Sequence, residues 1–153
     1  MDLILWRHAE AHELREGQDD LDRALTAKGE RQAQRVADWL NRQLPSSTRV
    51  LASPARRAQQ TAAALDRKVK TVPALVPEAT VEALLHTARW PDAREPVLVV
   101  GHQPTLGLVA AYLLSAQPQA WAVRKGAAWW LRAREREGQL QIVLHAVVSA
   151  ELV

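Results

Sequence analysis

Two histidines stand where this chain could do chemistry. Arg7-His8 follows the apolar run Leu3-Ile4-Leu5-Trp6, and Gly101-His102 follows Val97-Leu98-Val99-Val100. Each imidazole lies just past a run that reads as a buried strand. Open α/β sheets build their sites beyond the C-terminal ends of parallel strands, so the two histidines can meet over one sheet edge. Imidazole offers a nitrogen nucleophile or a hydrogen-bond donor near neutral pH, and guanidinium offers a planar fork that matches oxyanions. With Arg7 beside His8, the expected object of that chemistry is a phosphoryl group.

The elements that must position these groups alternate. Residues 2–6 read as a first strand, apolar on both faces as a central parallel strand is. A charge-rich loop over 9–24 follows. Thr26 is a good N-cap for a helix over 27–43, with Ala33, Val36, Ala37, Leu40 and Leu44 at helical spacing and Pro45 to stop it. A short strand is expected at 49–52. Ser53-Pro54 predicts a helix with Ser as N-cap and Pro first, running to about Arg67 and burying Ala58, Ala62 and Leu65. A brief strand near 70–73, a helix over 80–88, a strand over 96–101 and a helix from Pro104 to Ser115 come next. Ala127–Ala133 and Leu140–Val147, with Gly138 in the bend, predict an antiparallel hairpin. Strands alternating with helices imply βαβ units, hence a three-layer α/β/α sandwich with a mostly parallel sheet and an antiparallel edge hairpin. The expected organisation is a single domain over 1–153.

Composition narrows the class. The 153 residues are 48% apolar and 24% charged, as in a globular protein that can bury its own core. There is no cysteine, which excludes disulfides, thiolate metal sites and thiol nucleophiles. The net charge of +3 is spread through the chain and argues against a nucleic-acid partner, which calls for a concentrated basic face. No run approaches the ~20 apolar residues of a membrane span. The N-terminal stretch does not read as a secretory signal, and a cytoplasmic monomer is the expectation. The six tryptophans are read as core fillers, and Arg132 and Arg134 as solvated ends of elements.

Four stretches together carry a resemblance. Arg7-His8-Ala9-Glu10 resembles the opening motif of the histidine phosphatase superfamily, the group that includes phosphoglycerate mutases. Leu25-Thr26 with Gly29 and Gln32-Ala33 resembles its second signature. Ser53-Pro54, Arg57-Ala58 and Gln60-Thr61-Ala62 resemble the third, whose arginine binds phosphate, and Gly101-His102 with Pro104 resembles the fourth. They arrive in the family's order over roughly residues 2–115. The short chain, and Lys125-Gly126-Ala127-Ala128-Trp129-Trp130-Leu131 near its end, look most like the compact SixA-type phosphohistidine phosphatases. Ala9 departs from the glycine common at that place, though either residue keeps the backbone uncrowded.

The resemblance implies that His8 is the nucleophile, with Arg7, Arg57 and His102 binding the phosphoryl group. The chemistry agrees. A neutral imidazole can attack phosphorus and become a covalent phosphohistidine, dividing one hard displacement into two. Two guanidiniums would hold the remaining oxygens and stabilise their charge in the transition state. No metal or other cofactor is required by this scheme, and carboxylate partners at ligand spacing for His8 and His102 are missing. His12, His86 and His145 match no motif.

The leaving group divides the readings. A phosphomonoester expels an alkoxide and needs a carboxylic acid to protonate it. Phosphohistidine expels an imidazole with an ordinary pKa of about 6.5, which leaves far more easily once protonated. Family members acting on esters place an acid between the third and fourth signatures, where this chain offers Glu78 and Glu82. The expected function is hydrolysis of phosphohistidine on a protein. Two alternatives stay open: a small-molecule phosphomonoesterase using Glu78, or a phosphate-binding module without turnover.

Overall fold

A computed structural model describes residues 1–153 as a six-stranded sheet with helices on both faces. The elements run β1 (Asp2–Arg7), α1 (Ala27–Gln43), β2 (Arg49–Ala52), α2 (Arg56–Ala63), β3 (Val69–Thr71), α3 (Val81–Thr87), β4 (Val97–Gly101), α4 (Thr105–Ser115), β5 (Ala128–Arg136) and β6 (Gln139–Val148). Strand order is β3-β2-β4-β1-β5-β6. The pairs among β1 to β4 are parallel, while β5 pairs antiparallel with both β1 and β6. This is the expected three-layer sandwich with its edge hairpin.

Alternation along β1 builds the two cores. Leu3 and Leu5 point to one face, where they meet Leu84, Leu106, Val109 and Ala110. Ile4 and Trp6 point to the other, against Val36, Ala37, Leu40, Ala58 and Ala62. All four are fully buried, and each such side chain contributes about 1.5–3 kcal/mol by leaving water. The Trp6 indole N–H finds the carbonyl of Gly126 at 2.9 Å, which ties the centre of the sheet to the turn before β5. At the far end of the hairpin, Glu137 and Gly138 both take positive φ, the geometry of a two-residue turn that matches strand twist.

Helix α1 keeps its expected bounds, with Thr26 Oγ1 accepting from the Gly29 N–H. Helix α2 does not. It begins at Arg56 rather than Pro54 and ends at Ala63 rather than near Arg67. The Ser53 hydroxyl accepts from the Ala55 N–H, but Ala55 stays extended at ψ 135°, so the helix starts after it, and the same hydroxyl is shared with His102. Leu65 lies past the helix end yet remains buried. Arg132 is also not simply solvated: its Nε and Nη2 hold both oxygens of Asp2, at 2.8 and 2.9 Å.

Candidate active site

Strand register brings the two histidines together. Arg7 stands opposite Gly101 in the β1–β4 pair, so both chains leave the sheet at the same height. The His8 N–H donates to the Gly101 carbonyl at 3.1 Å, and the His8 and His102 rings lie with centroids 5.2 Å apart. On the other side of β4, Ala52 pairs with Val100, and the chain turns so that Ser53 Oγ meets His102 Nε2 at 2.8 Å. The same turn leads into α2, whose second residue is Arg57, 2% exposed. Arg7, His8, Arg57 and His102 thus line one hollow of about 400 Å³ at the C-terminal edge of the parallel strands.

The protonation state of His8 follows from its surroundings. Burial disfavours its charged form, and the positive charges of Arg57, Arg7 and Arg23 act the same way. They outweigh the hydrogen bond to Ala9 and bring its pKa down to about 4. The ring is therefore neutral at pH 7. Nδ1 lies 2.8 Å from the Ala9 carbonyl, which can only accept, so Nδ1 carries the proton and Nε2 keeps its lone pair. His102 is brought to about 3 by burial first, then by His8, Arg57 and Arg7, with Asp20 opposing. The Ser53 hydroxyl can donate to His102 Nε2; in that tautomer Nδ1 bears the hydrogen and has no partner.

Three of the five buried side-chain nitrogens without a partner belong to residues lining this hollow. Arg7 Nε, Arg57 Nε and His102 Nδ1 are buried and meet no hydrogen-bonding group. A buried donor left without a partner costs about 1–3 kcal/mol. The two guanidiniums and the imidazole that carry these atoms line one cavity, and their charge and other N–H groups suit an acceptor-rich guest such as a phosphoryl group. Around the same hollow stand four basic side chains, Arg7, Arg23, Arg57 and Lys125, and one carboxylate, Asp20.

Other donors of the two arginines are fixed by the scaffold. Arg7 Nη1 reaches the Val123 carbonyl at 2.9 Å. Arg57 donates from Nη1 to the Asp20 carbonyl at 2.7 Å and from Nη2 to the Asp20 carboxylate at 3.0 Å. Thr61, fully buried, accepts from the Ala9 N–H at 3.0 Å and donates to the Arg57 carbonyl at 2.7 Å, so it joins the peptide after His8 to the turn that carries Arg57. Gly29 lets α1 approach from behind: a Cβ there would come 2.0 Å from the Glu10 carbonyl oxygen. Gln32 Oε1 accepts from the Glu10 N–H, completing the support of the 8–10 segment. Gln103 caps α4 by accepting from the Gly107 N–H at 2.7 Å, and its amide donates to Trp121.

Glu78 and Glu82 are not in this constellation. Both are exposed, and neither lines the hollow. The segment between β3 and β4 presents Pro77 instead, while Thr105 Oγ1 holds the Ala79 carbonyl at 2.7 Å on its other side. The carboxylate that does line the hollow comes from elsewhere in the chain. Asp20 sits in a 3₁₀ turn (Asp20–Asp22) that the loop after β1 folds over the site. Neither Asp20 nor Arg23 was singled out from the sequence. The loop's only signal was its length and charge, with several acidic residues and nothing to rank them. The isolated bridge between Ala11 and Leu25 is what brings that loop back across the site.

Comparison with known proteins agrees with this geometry. Residues 3–83 match the family described as the histidine phosphatase superfamily (branch 1), a span that carries Arg7, His8 and Arg57 and ends before β4. An uncharacterised protein of Picosynechococcus sp. (strain ATCC 27264 / PCC 7002 / PR-6) is 36% identical over 116 residues, covering 70% of this chain and 69% of the other. Among solved structures, a Nakamurella multipartitia protein named for the phosphohistidine phosphatase SixA superposes with a TM-score of 0.80 at 28% identity, covering 96% of this chain and 94% of that one. The protein histidine phosphatase SixA complexed with tungstate shares the fold, with a TM-score of 0.77 at 24% identity over 99% of both chains. On the matched span and the identity to its relatives, this chain belongs to the histidine phosphatase superfamily, branch 1, and is SixA-like.

Proposed function

We propose that this protein is a metal-independent phosphatase that removes phosphate from histidine on a protein substrate, by way of a phosphorylated His8. The reading rests on one observation: a neutral His8, its tautomer fixed by Ala9, shares a hollow with Arg7, Arg57 and His102. In the first step His8 Nε2 attacks phosphorus. Arg7, Arg57 and His102 bind the three non-reacting oxygens and stabilise the charge they gain in the transition state. Water then attacks the phosphoenzyme and releases phosphate. The four basic side chains of the lining supply the positive field for both steps.

The choice of phosphohistidine over an ester follows from the leaving group. An alkoxide needs a protonated acid beside it. The only carboxylate in the lining, Asp20, is held below the usual carboxylate range: burial pushes it up, but the hydrogen bonds and charges of Arg23 and Arg57 prevail. It is ionised at neutral pH and has no proton to give. The likeness to a SixA-named relative supports a protein substrate, as does the slight contribution of the β3–β4 segment, Pro77 alone, to the walls of the hollow.

The test is to mix the protein briefly with a radiolabelled histidine-phosphorylated protein, quench in alkali, and look for label on this chain. The expected result is a labelled phosphoenzyme and steady phosphate release, both lost in His8→Ala. Turnover retained in His8→Ala would reject His8 as the nucleophile. A pocket that binds phosphate without ever becoming labelled would indicate a binding module.

A further inference from the structure

The reaction proposed above exchanges one imidazole for another on phosphorus, and both rings have the same requirement. An N-phosphorylated ring departs as neutral imidazole only when its other nitrogen already bears a proton; otherwise it must leave as an imidazolate. An acceptor for that second N–H stabilises the protonated, reactive form. The attacking ring has one, since His8 Nδ1–H lies 2.8 Å from the Ala9 carbonyl. The leaving ring needs its own, and the hollow contains a single carboxylate.

That carboxylate is both reachable and fixed. The Asp20 side chain is 42% exposed, yet Oδ1 receives Arg23 Nε at 2.9 Å and Oδ2 receives Arg57 Nη2 at 3.0 Å. Each oxygen retains acceptor capacity for another donor. Arg23 and Arg57 face it directly, and Arg7, His8, His102 and Lys125 line the same hollow. The pairing also sets Asp20 beside Arg57, one of the groups proposed to hold the phosphoryl oxygens. A ring attached to that phosphoryl group then lies within reach of the carboxylate.

We propose that Asp20 is a catalytic residue selecting phosphohistidine, its carboxylate accepting the remote ring N–H of the substrate's phosphoimidazole. This rests on the phosphohistidine reading and adds the group that recognises the leaving ring. The His8 Nε2 lone pair forms the new N–P bond. The substrate P–N bond breaks, its electron pair passes to the departing nitrogen, and the ring leaves neutral with its N–H still on Asp20. Phospho-His8 is likewise held protonated by Ala9. Water then adds to phosphorus, the electron pair returns to Nε2, and both water hydrogens leave with the phosphate.

The experiment compares the unaltered protein with Asp20→Asn on phosphoimidazole and on 2,4-dinitrophenyl phosphate, whose leaving group has no N–H and needs no acid. For phosphoimidazole, kcat/KM should fall about 10- to 100-fold more than for the aryl phosphate, the size of a lost hydrogen bond to a charged group, and the loss on the aryl phosphate measures what Asp20 contributes through Arg57. The alkaline limb for phosphoimidazole should also move to lower pH in Asp20→Asn, because the ring proton is less well held. Inhibition by inorganic phosphate, which reports the Arg57 clamp, should weaken no more than turnover of the aryl phosphate does. Equal losses on both substrates, or no loss on either, would overturn the proposal. If the unaltered protein cleaves the aryl phosphate but not phosphoimidazole, the phosphohistidine reading itself fails.

Discussion

His8 donates its Nδ1–H to the carbonyl of its own neighbour, Ala9, across 2.8 Å, which leaves Nε2 as the nitrogen with a free lone pair. Burial and the surrounding arginines keep that lone pair from being protonated until about pH 4. The acid limb of kcat/KM, which reports the free enzyme, is therefore expected near pH 4 and not near 6.5. Activity falls as pH drops through that value, because protonation removes the nucleophile. A pH profile with a substrate whose own ionisation lies elsewhere checks this, and an acid limb at the ordinary histidine value would mean that His8 is not held as described.

Thr61 couples the nucleophile to the phosphate clamp, and removing its hydroxyl should show this. Thr61→Val keeps the shape but leaves the buried Ala9 N–H without an acceptor, at a cost of about 1–3 kcal/mol in stability. The Ala9 carbonyl orients His8 and the Thr61 hydroxyl also holds the Arg57 carbonyl, so kcat should fall and phosphate inhibition should weaken. Denaturant melts and steady-state kinetics on one preparation test both halves.

Much of this was legible in the sequence, for reasons that differ by element. The runs before Arg7 and His102 read as strands because buried parallel strands are apolar on both faces, and parallel register then placed the two imidazoles side by side. Helix α1 kept its bounds because its signals, Thr26 and Pro45, are local. Helix α2 did not, because Ala55 stays extended although the Ser53 hydroxyl accepts from its N–H, and that hydroxyl is shared with His102, 49 positions away. Asp20 was hidden for a similar reason: among the acidic residues of one long loop, only the fold-back onto Arg57 distinguishes it. Glu78 and Pro77 are neighbours, and which of them faces the hollow depends on how the 73–79 segment packs, which no spacing rule reports.

Arg57 serves the fold and the anion at once, so its replacement should separate the two. Arg57→Lys keeps a positive charge near Asp20 but loses the planar fork. We expect kcat/KM to fall about 10²–10³-fold, as when an oxyanion-stabilising donor is removed. Tungstate or phosphate should raise the Tm of the unaltered protein by binding among the basic side chains of the hollow, and that rise should shrink in Arg57→Lys. An undiminished thermal shift would place the anion away from Arg57.

Gly29 is a packing requirement behind the site. An added Cβ would stand 2.0 Å from the Glu10 carbonyl oxygen, which is backbone and cannot swing aside. Gly29→Ala must push α1 away from the segment that carries His8, with a loss of about 1–3 kcal/mol, typical of overpacking. Because the displaced strand end holds the nucleophile, activity should fall further than the melt alone explains at a temperature where the variant is folded. Full activity with full stability would show that α1 does not fix the 8–10 segment.

The two buried imidazoles also make stability depend on acidity, with a definite sign. Both have folded pKa values below the ordinary 6.5, about 4 for His8 and about 3 for His102. The unfolded chain therefore binds more protons between those values and 6.5, so stability rises with pH across that window and is lost on acidification. For His8 alone the full effect is on the order of 3 kcal/mol, at 1.36 kcal/mol per pKa unit. Urea melts at pH 4.5 and pH 7 should show the loss, and His8→Asn should reduce it. Phosphate should oppose it as well, since an anion in the hollow favours imidazolium. A slope that persists unchanged in His8→Asn and in saturating phosphate would assign the acid sensitivity to groups outside the hollow.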